Sequence, residues 1–272
     1  MTTDSQQALT QPPTQRLRVV LVQSALAWHD PAANREHFTG VLAGLAGTAD
    51  LIVLPEMFST GFTMTPEQAF ETMDGATVAW LRTQARATNA VLCGSLAMRV
   101  DTGFVNRFLW VQPDGELRHY DKRHLFRMSG EHEHYESGGQ RLIVQLNGWR
   151  ICPLVCYDLR FPVWSRNRDD YDLLLYVANW PAPRQLAWAT LLRARAIENL
   201  AYVVGVNRVG SDGNGFEFAG GSCAIGPAGE QLLLAEADAA VHRVELDASA
   251  LVAYRERFPA WRDADAFTLD GI

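Results

Sequence analysis

No stretch of the chain approaches the run of about 18 apolar residues that a membrane-spanning helix requires, so no membrane partner is expected. Cysteine is scarce: Cys93, Cys152, Cys156 and Cys223 suggest no disulfide framework, and reduced thiols are expected. Cys152 and Cys156 are separated by three residues rather than two, and no second Cys or His pair stands at zinc spacing, which argues against a structural metal. Positive charge is also limited. The formal net charge is −7 and the arginines are scattered or local to 160–168 and 193–195, so a nucleic-acid partner is not expected. Met1–Gln15 has neither a basic start nor an apolar core, does not read as a signal peptide, and points to a cytoplasmic location. Gly213-Asn214-Gly215 is not followed by Lys-Ser/Thr and a helix, so it is no phosphate loop, and the glycine-rich 210–221 segment reads as a mobile lid or turn. No internal repeat is visible.

What remains is an ordinary globular composition, 48% hydrophobic and 20% charged over 272 residues, enough for one domain with a sizeable core. Apolar runs predict strands over 17–23, 50–56, 91–98, 104–111, 116–120, 142–146, 150–155, 172–177 and 201–206, with shorter ones over 224–225, 231–234 and 241–246. Helical periodicity predicts helices over 31–45, 77–87 and 185–199. Pro113-Asp114-Gly115 and Asn147-Gly148 mark hairpin turns. The order is that of an α/β protein.

Three polar residues end or just follow apolar strands: Glu56, Lys122 and Cys156. Strand ends are where sites assemble in sheets with helical connections. The Cys156 stretch, Ile151 to Pro162, reads as a buried strand delivering a thiol into a sharp turn toward a helix, which lifts the sulfur to the sheet end. A lone cysteine is more often a packed thiol, and Glu56 or Lys122 alone would read as a solvated charge or a stabilising pair. Together they form a set: a thiol to attack a carbonyl, a carboxylate to take and return its proton, and an ammonium to hold the oxyanion.

Leu54-Pro55-Glu56-Met57-Phe58, Tyr120-Asp121-Lys122-Arg123-His124-Leu125-Phe126 and Cys156-Tyr157-Asp158-Leu159-Arg160-Phe161-Pro162 resemble, in order and spacing, the Glu, Lys and Cys motifs of the nitrilase (carbon–nitrogen hydrolase) superfamily. The resemblance extends through Asn179-Trp180-Pro181, Ala194 to Asn199 and Gly205-Val206-Asn207-Arg208, and is greatest to the omega-amidase branch. It implies an α/β fold, a single-domain α-β-β-α sandwich over 17–259, with a flexible leader over 1–16 and a tail over 260–272. Two such protomers would pair into a four-layer homodimer. Residue by residue, it makes Cys156 the nucleophile, Glu56 the general base and acid, Lys122 the oxyanion stabiliser and the Tyr157 backbone N–H its companion, with no cofactor. Many members carry a second glutamate beside the lysine. Here Glu131 fits a Gly-Glu-His context and Glu136 a Tyr-Glu-Ser context, with Glu133 between them. His132 and His134 alternate as metal ligands can, but lack a third ligand and read as solvated, while the family pattern makes His124 structural.

The implied activity is hydrolysis of the terminal amide of a small dicarboxylic acid monoamide, such as 2-oxoglutaramate, through a thioester. A nitrilase, a carbamoylase or an acyltransferase would use the same trio, and a non-catalytic ligand-binding relative is the rival from another class. The loop after Val177 places Trp180 and Arg184 where a substrate carboxylate could be met, whereas Arg160, following Asp158, suits a local ion pair. The 185–199 helix carries Leu186, Trp188, Leu191 and Leu192, more apolar surface than a solvent-facing helix needs, and is the expected dimer face.

Overall fold

Two runs of β-branched and aliphatic residues, β1 (Leu17–Gln23) and β7 (Trp149–Val155), each lie one strand in from the edge of a sheet of six strands in the computed structural model, which describes residues 13–269. The first sheet has the order β14-β1-β2-β3-β4-β5, where β2 is Leu51–Val53, β3 Val91–Val100, β4 Gly103–Val111, β5 Leu117–Asp121 and β14 Ala240–Leu246. The second has the order β13-β12-β9-β8-β7-β6, where β6 is Val144–Leu146, β8 Leu173–Ala178, β9 Tyr202–Asn207, β12 Cys223–Ile225 and β13 Gln231–Leu234. In each sheet three parallel strands (β1, β2, β3 and β7, β8, β9) are flanked by antiparallel ones. The two halves thus share a strand plan that the sequence does not display as a repeat.

Alternation along the strands divides the core. Leu17, Val19 and Leu21 of β1, with Phe108 and Trp110 of β4, join the cluster that includes the strands of the second sheet. Val20, Val22, Leu109 and Val111 point the other way, onto α1 (Pro31–Leu42) and α2 (Ala76–Thr88). On the outer face of the second sheet, α5 (Gln185–Asn199) approaches β9 so closely that a Cβ on Gly205 would lie 2.7 Å from Leu192 Cδ1. The layering is α-β-β-α, and burying each large apolar side chain contributes roughly 1.5–3 kcal/mol.

Several sequence expectations shift. The first helix ends at Leu42 rather than Leu45, although Leu45 is still buried. The β2 strand is only three residues long, and Pro55 has no N–H with which to prolong the ladder. The segment read as a mobile loop is a hairpin, β10 (Val209–Ser211) with β11 (Glu217–Ala219), its turn held by Asp212 Oδ1 accepting from the Asn214 and Phe216 N–H groups. The helix expected after Cys156 is a 3₁₀ turn over Cys156–Arg160 followed by a single turn, α4 (Pro162–Ser165). A last helix, α6 (Ala248–Arg257), was not anticipated, although Asp247 caps it through the N–H groups of Ser249 and Ala250. Of the expected leader, 1–12 lie outside the described residues. The Gln15 carbonyl accepts from the Trp149 indole and Arg16 pairs with Glu245. At the other end Leu269 packs against the inter-sheet cluster, and 270–272 again lie outside the described residues.

Candidate active site

Glu56 follows β2, Lys122 follows β5, and Cys156 follows β7, so the three come from strand ends of both sheets. They meet in the interior. Lys122 Nζ lies 3.0 Å from Glu56 Oε1, and none of the Lys122, Glu56 or Glu131 side chains is solvent-exposed. Glu131 opens a one-turn helix, α3 (Glu131–His134), and accepts from Lys122 Nζ across both carboxylate oxygens, at 2.9 Å each, while Oε2 also accepts from the Phe126 N–H. The ammonium is thereby held between two carboxylates.

Two asparagines complete the shell of Glu56. Asn106 Nδ2 donates to Oε1 at 2.8 Å, and the Asn179 backbone N–H donates to Oε2 at 2.7 Å. Asn179, just past β8, also clasps the Glu56 backbone carbonyl through Nδ2 at 2.6 Å, and its own carbonyl lies 3.9 Å from Cys156 Sγ. One residue therefore links the Glu56 carboxylate and the Cys156 thiol.

Cys156 sits at φ +45°, in the left-handed region that a non-glycine residue rarely enters. What holds this turn is Asp158, which is fully buried. It accepts from the Val155 N–H at 3.0 Å, the Tyr120 hydroxyl at 2.8 Å, and the His124 N–H and Nδ1 at 3.0 and 2.8 Å. The expected Asp158–Arg160 pair does not form. Arg160 instead lies over the Trp180 ring, 5.0 Å from its centroid, because Asp158 points inward while the guanidinium faces the cavity. His124, stacked on Phe161 at 3.8 Å, serves this anchor and belongs to a separate surface groove.

Electrostatics follow from burial. Burial alone would push the Lys122 ammonium toward neutrality, but Glu131 and Glu56 outweigh it and hold the proton more tightly than usual. Burial pushes the Glu131 carboxyl up, and Glu56 adds to this while Lys122 opposes it. The Cys156 thiol is raised well above its ordinary value, first by burial and then by Glu56, with Lys122 opposing. The balance favours the neutral thiol of Cys156 over the thiolate that a neighbouring ammonium alone would favour.

The sulfur opens on a cavity of about 120 Å³ walled by Phe62, Tyr157, Trp180, Phe216 and Phe218, with Arg160, Arg184 and Asp212 also on its lining. The Trp180 indole donates to the Arg184 carbonyl, and the Arg184 guanidinium lies 5.1 Å from the Phe126 ring centroid. Among the described residues neither Arg160 nor Arg184 pairs with a carboxylate. Of the other sequence candidates, Glu136 is exposed and accepts from Thr102 at 2.8 Å, so it stands apart from Lys122. Glu133 and His134 are exposed, and His132 is half-buried beside Glu133. Sequence reasoning missed Asn106, the clasp by Asn179, and Asp158. One signal was available: Lys122 is the only lysine among 24 basic residues.

The carbon-nitrogen hydrolase family model matches residues 18–256. Omega-amidase YafV of Escherichia coli is 55% identical over 254 residues, 93% of this chain and 98% of that protein. The 2-oxoglutaramate amidase of Bacillus subtilis is 33% identical over 247 residues, 89% of this chain and 95% of that protein. A CN-hydrolase superfamily protein from Xanthomonas campestris, solved with an arsenic adduct in its active site, superposes with a TM-score of 0.93 at 50% identity, covering 94% of this chain and all of that one. With matches over nearly its full described length, the chain belongs to the carbon–nitrogen hydrolase family, on the omega-amidase branch of the nitrilase superfamily.

Proposed function

We propose that the protein is a thiol amidase that hydrolyses the terminal amide of small dicarboxylic acid monoamides, with 2-oxoglutaramate as the representative substrate. Glu56 takes the thiol proton as Cys156 Sγ bonds to the amide carbon, and the carbonyl oxygen becomes an oxyanion held by Lys122 Nζ and the Tyr157 backbone N–H. The C–N bond then breaks, Glu56 returns the proton to nitrogen, and ammonia leaves a thioester. Water, deprotonated by the same carboxylate, adds to the thioester. Its collapse releases the acid and restores the thiol.

The observation that carries this reading is the buried carboxylate–ammonium–carboxylate cluster beside a neutral thiol at the cavity floor. A neutral thiol needs a base, and Glu56 is in place to be one. The names of the relatives at 55% and 33% identity support amides over nitriles or carbamoyl compounds. Arg160 and Arg184, on the cavity wall and without carboxylate partners among the described residues, suit recognition of the substrate carboxylate by charge-assisted hydrogen bonds. Ammonia release across 2-oxoglutaramate, other four- and five-carbon monoamides, neutral amides, nitriles and N-carbamoyl acids is the test. Fastest turnover of a nitrile or a carbamoyl compound would reject the amidase reading.

We further read the protein as a cytoplasmic homodimer formed from the 17–259 domain, with α5 and α4 in the contact. Leu186 is 83% exposed, Ile197 48% and Val163 49%, whereas Trp188 and Leu192, counted on that face from the sequence, turn onto the chain's own core. A monomer by light scattering at micromolar concentration would exclude this.

A further inference from the structure

We propose that Asn106 is a positioning residue: it supplies Glu56 with a neutral hydrogen-bond donor, so that Lys122 can turn an N–H from Glu56 to the substrate oxygen without stripping the base. The inference rests on the roles given above to Glu56 and Lys122. Its ground is a count of donors. Glu56 Oε1 has two donors, Lys122 Nζ at 3.0 Å and Asn106 Nδ2, and the ammonium is shared with both oxygens of Glu131 at 2.9 Å. Turning the ammonium toward an oxyanion loosens the first of these. Glu131 keeps its ammonium contacts and the Phe126 N–H, and Glu56 Oε2 keeps the Asn179 N–H. Glu56 Oε1 keeps the Asn106 donor, at 2.8 Å.

Asn106 is built for donation. It is fully buried on β4, its Nδ2 also reaches Glu131 Oε1 at 3.4 Å, and its backbone carbonyl accepts from the Lys122 N–H at 2.9 Å. Its Oδ1 has no partner among the described residues. An asparagine retained for core stability would satisfy both ends of its amide, whereas this one spends its donor on two carboxylates. Turning it over would aim Oδ1 at both of them. Because the donor is neutral, it supports the ionised carboxylate without adding the charge that would make Glu56 a poor base.

The titratable groups facing Glu56 are Lys122 at the end of β5, Glu131 of α3 and Cys156 of the turn after β7, with Tyr135 behind Glu131. The test is the pH dependence of Cys156 alkylation by iodoacetamide, with kcat and KM for the best amide measured in parallel. In Asn106→Ala the acid limb should move up by about one pH unit, and kcat should fall about tenfold or more while KM changes less than about threefold. A folded variant with an unmoved acid limb overturns the proposal, whether its kcat is normal or reduced. Where Asn106→Ala does not fold, Asn106→Leu, which keeps a branched side chain without the donor, is judged by the same criterion. Wild-type protein that is alkylated at Cys156 but releases ammonia from no amide rejects the amidase reading alone, and the alkylation profile then decides Asn106.

Discussion

Replacing Lys122 by methionine should unfold the site from within. A strand-end lysine at the surface could be removed at little cost, but this one has no exposed surface and lies between two equally buried carboxylates. Lys122→Met leaves Glu56 and Glu131 facing each other in a dry interior, and breaking a buried ion pair by deleting one partner costs about 3–5 kcal/mol. For a domain of this size each kcal/mol lowers Tm by roughly 2–4 °C, so the midpoint should fall by about 6–20 °C at pH 8. The loss should depend on pH. Without the ammonium the two carboxylates must share a proton, so one folded-state carboxyl is raised above its unfolded value of about 4.3. A raised group contributes stability below its unfolded pKa and loses that contribution as pH rises through the folded value. The deficit relative to wild type should therefore be smaller at pH 5 than at pH 8, and Lys122→Met/Glu131→Gln should recover much of it at pH 8. Thermal denaturation followed by circular dichroism, with wild type measured beside the variants at each pH, supplies the comparison. An equal deficit at both pH values that Glu131→Gln does not relieve would show that lost packing, not uncompensated charge, is responsible.

Brief alkylation of native protein followed by peptide mapping should place the label on Cys156, since Cys93, Cys152 and Cys223 are no more than 3% exposed and burial raises each of their thiols. First labelling of any of those three would reverse the assignment. Thiolate ultraviolet absorbance should be absent at neutral pH and appear only in alkali, because burial and Glu56 raise the Cys156 thiol, and a strong neutral-pH signal would refute this. Glu131→Gln should lower kcat by roughly tenfold to a hundredfold, as loss of an active-site charge partner does, while Glu136→Gln should stay within about twofold of wild type. The reverse order in steady-state assays would exchange their roles. Arg160→Ala and Arg184→Ala should raise KM for a carboxylate-bearing amide and not for its uncharged analogue, and equal kcat/KM of wild type for an acid and its methyl ester would remove charge recognition.

How much of this could be read from the residues depends on whether a feature is local. Glu56, Lys122 and Cys156 were legible because each interrupts or follows an apolar run, and a polar residue at such a point has few reasons to be there. Glu131 and Glu136 were not separable, being five positions apart with the same charge; only the turn of α3 sends one inward to Lys122 and leaves the other out with Thr102. Asp158 was misassigned because Arg160 is its neighbour along the chain, whereas its partners, Tyr120 of β5 and His124 just past it, come from more than thirty residues earlier. Asn106 lies in mid-strand between Val105 and Arg107, and nothing nearby announces that its face of β4 looks onto carboxylates. Glycine content suggested a mobile 210–221 segment, but Gly210 and Gly215 supply the positive φ values, 77° and 80°, around the turn of the hairpin.

On the proposed reaction the cluster never creates charge in its dry interior; it relocates it. Before attack the described groups are two carboxylates, one ammonium and a neutral thiol. When the thiol proton passes to Glu56 and sulfur bonds to carbon, the negative charge leaves Glu56 and reappears on the substrate oxygen. Lys122, already 3.0 Å from Glu56, remains the nearest cation to both positions. Glu131 gives up nothing in this exchange. Bound to the ammonium through both oxygens, it keeps Lys122 charged and in place at the moment Glu56 becomes neutral and can no longer do so. A single glutamate could not be both the base that is neutralised and the anchor that must stay ionised, which is why a site with one lysine is built with two.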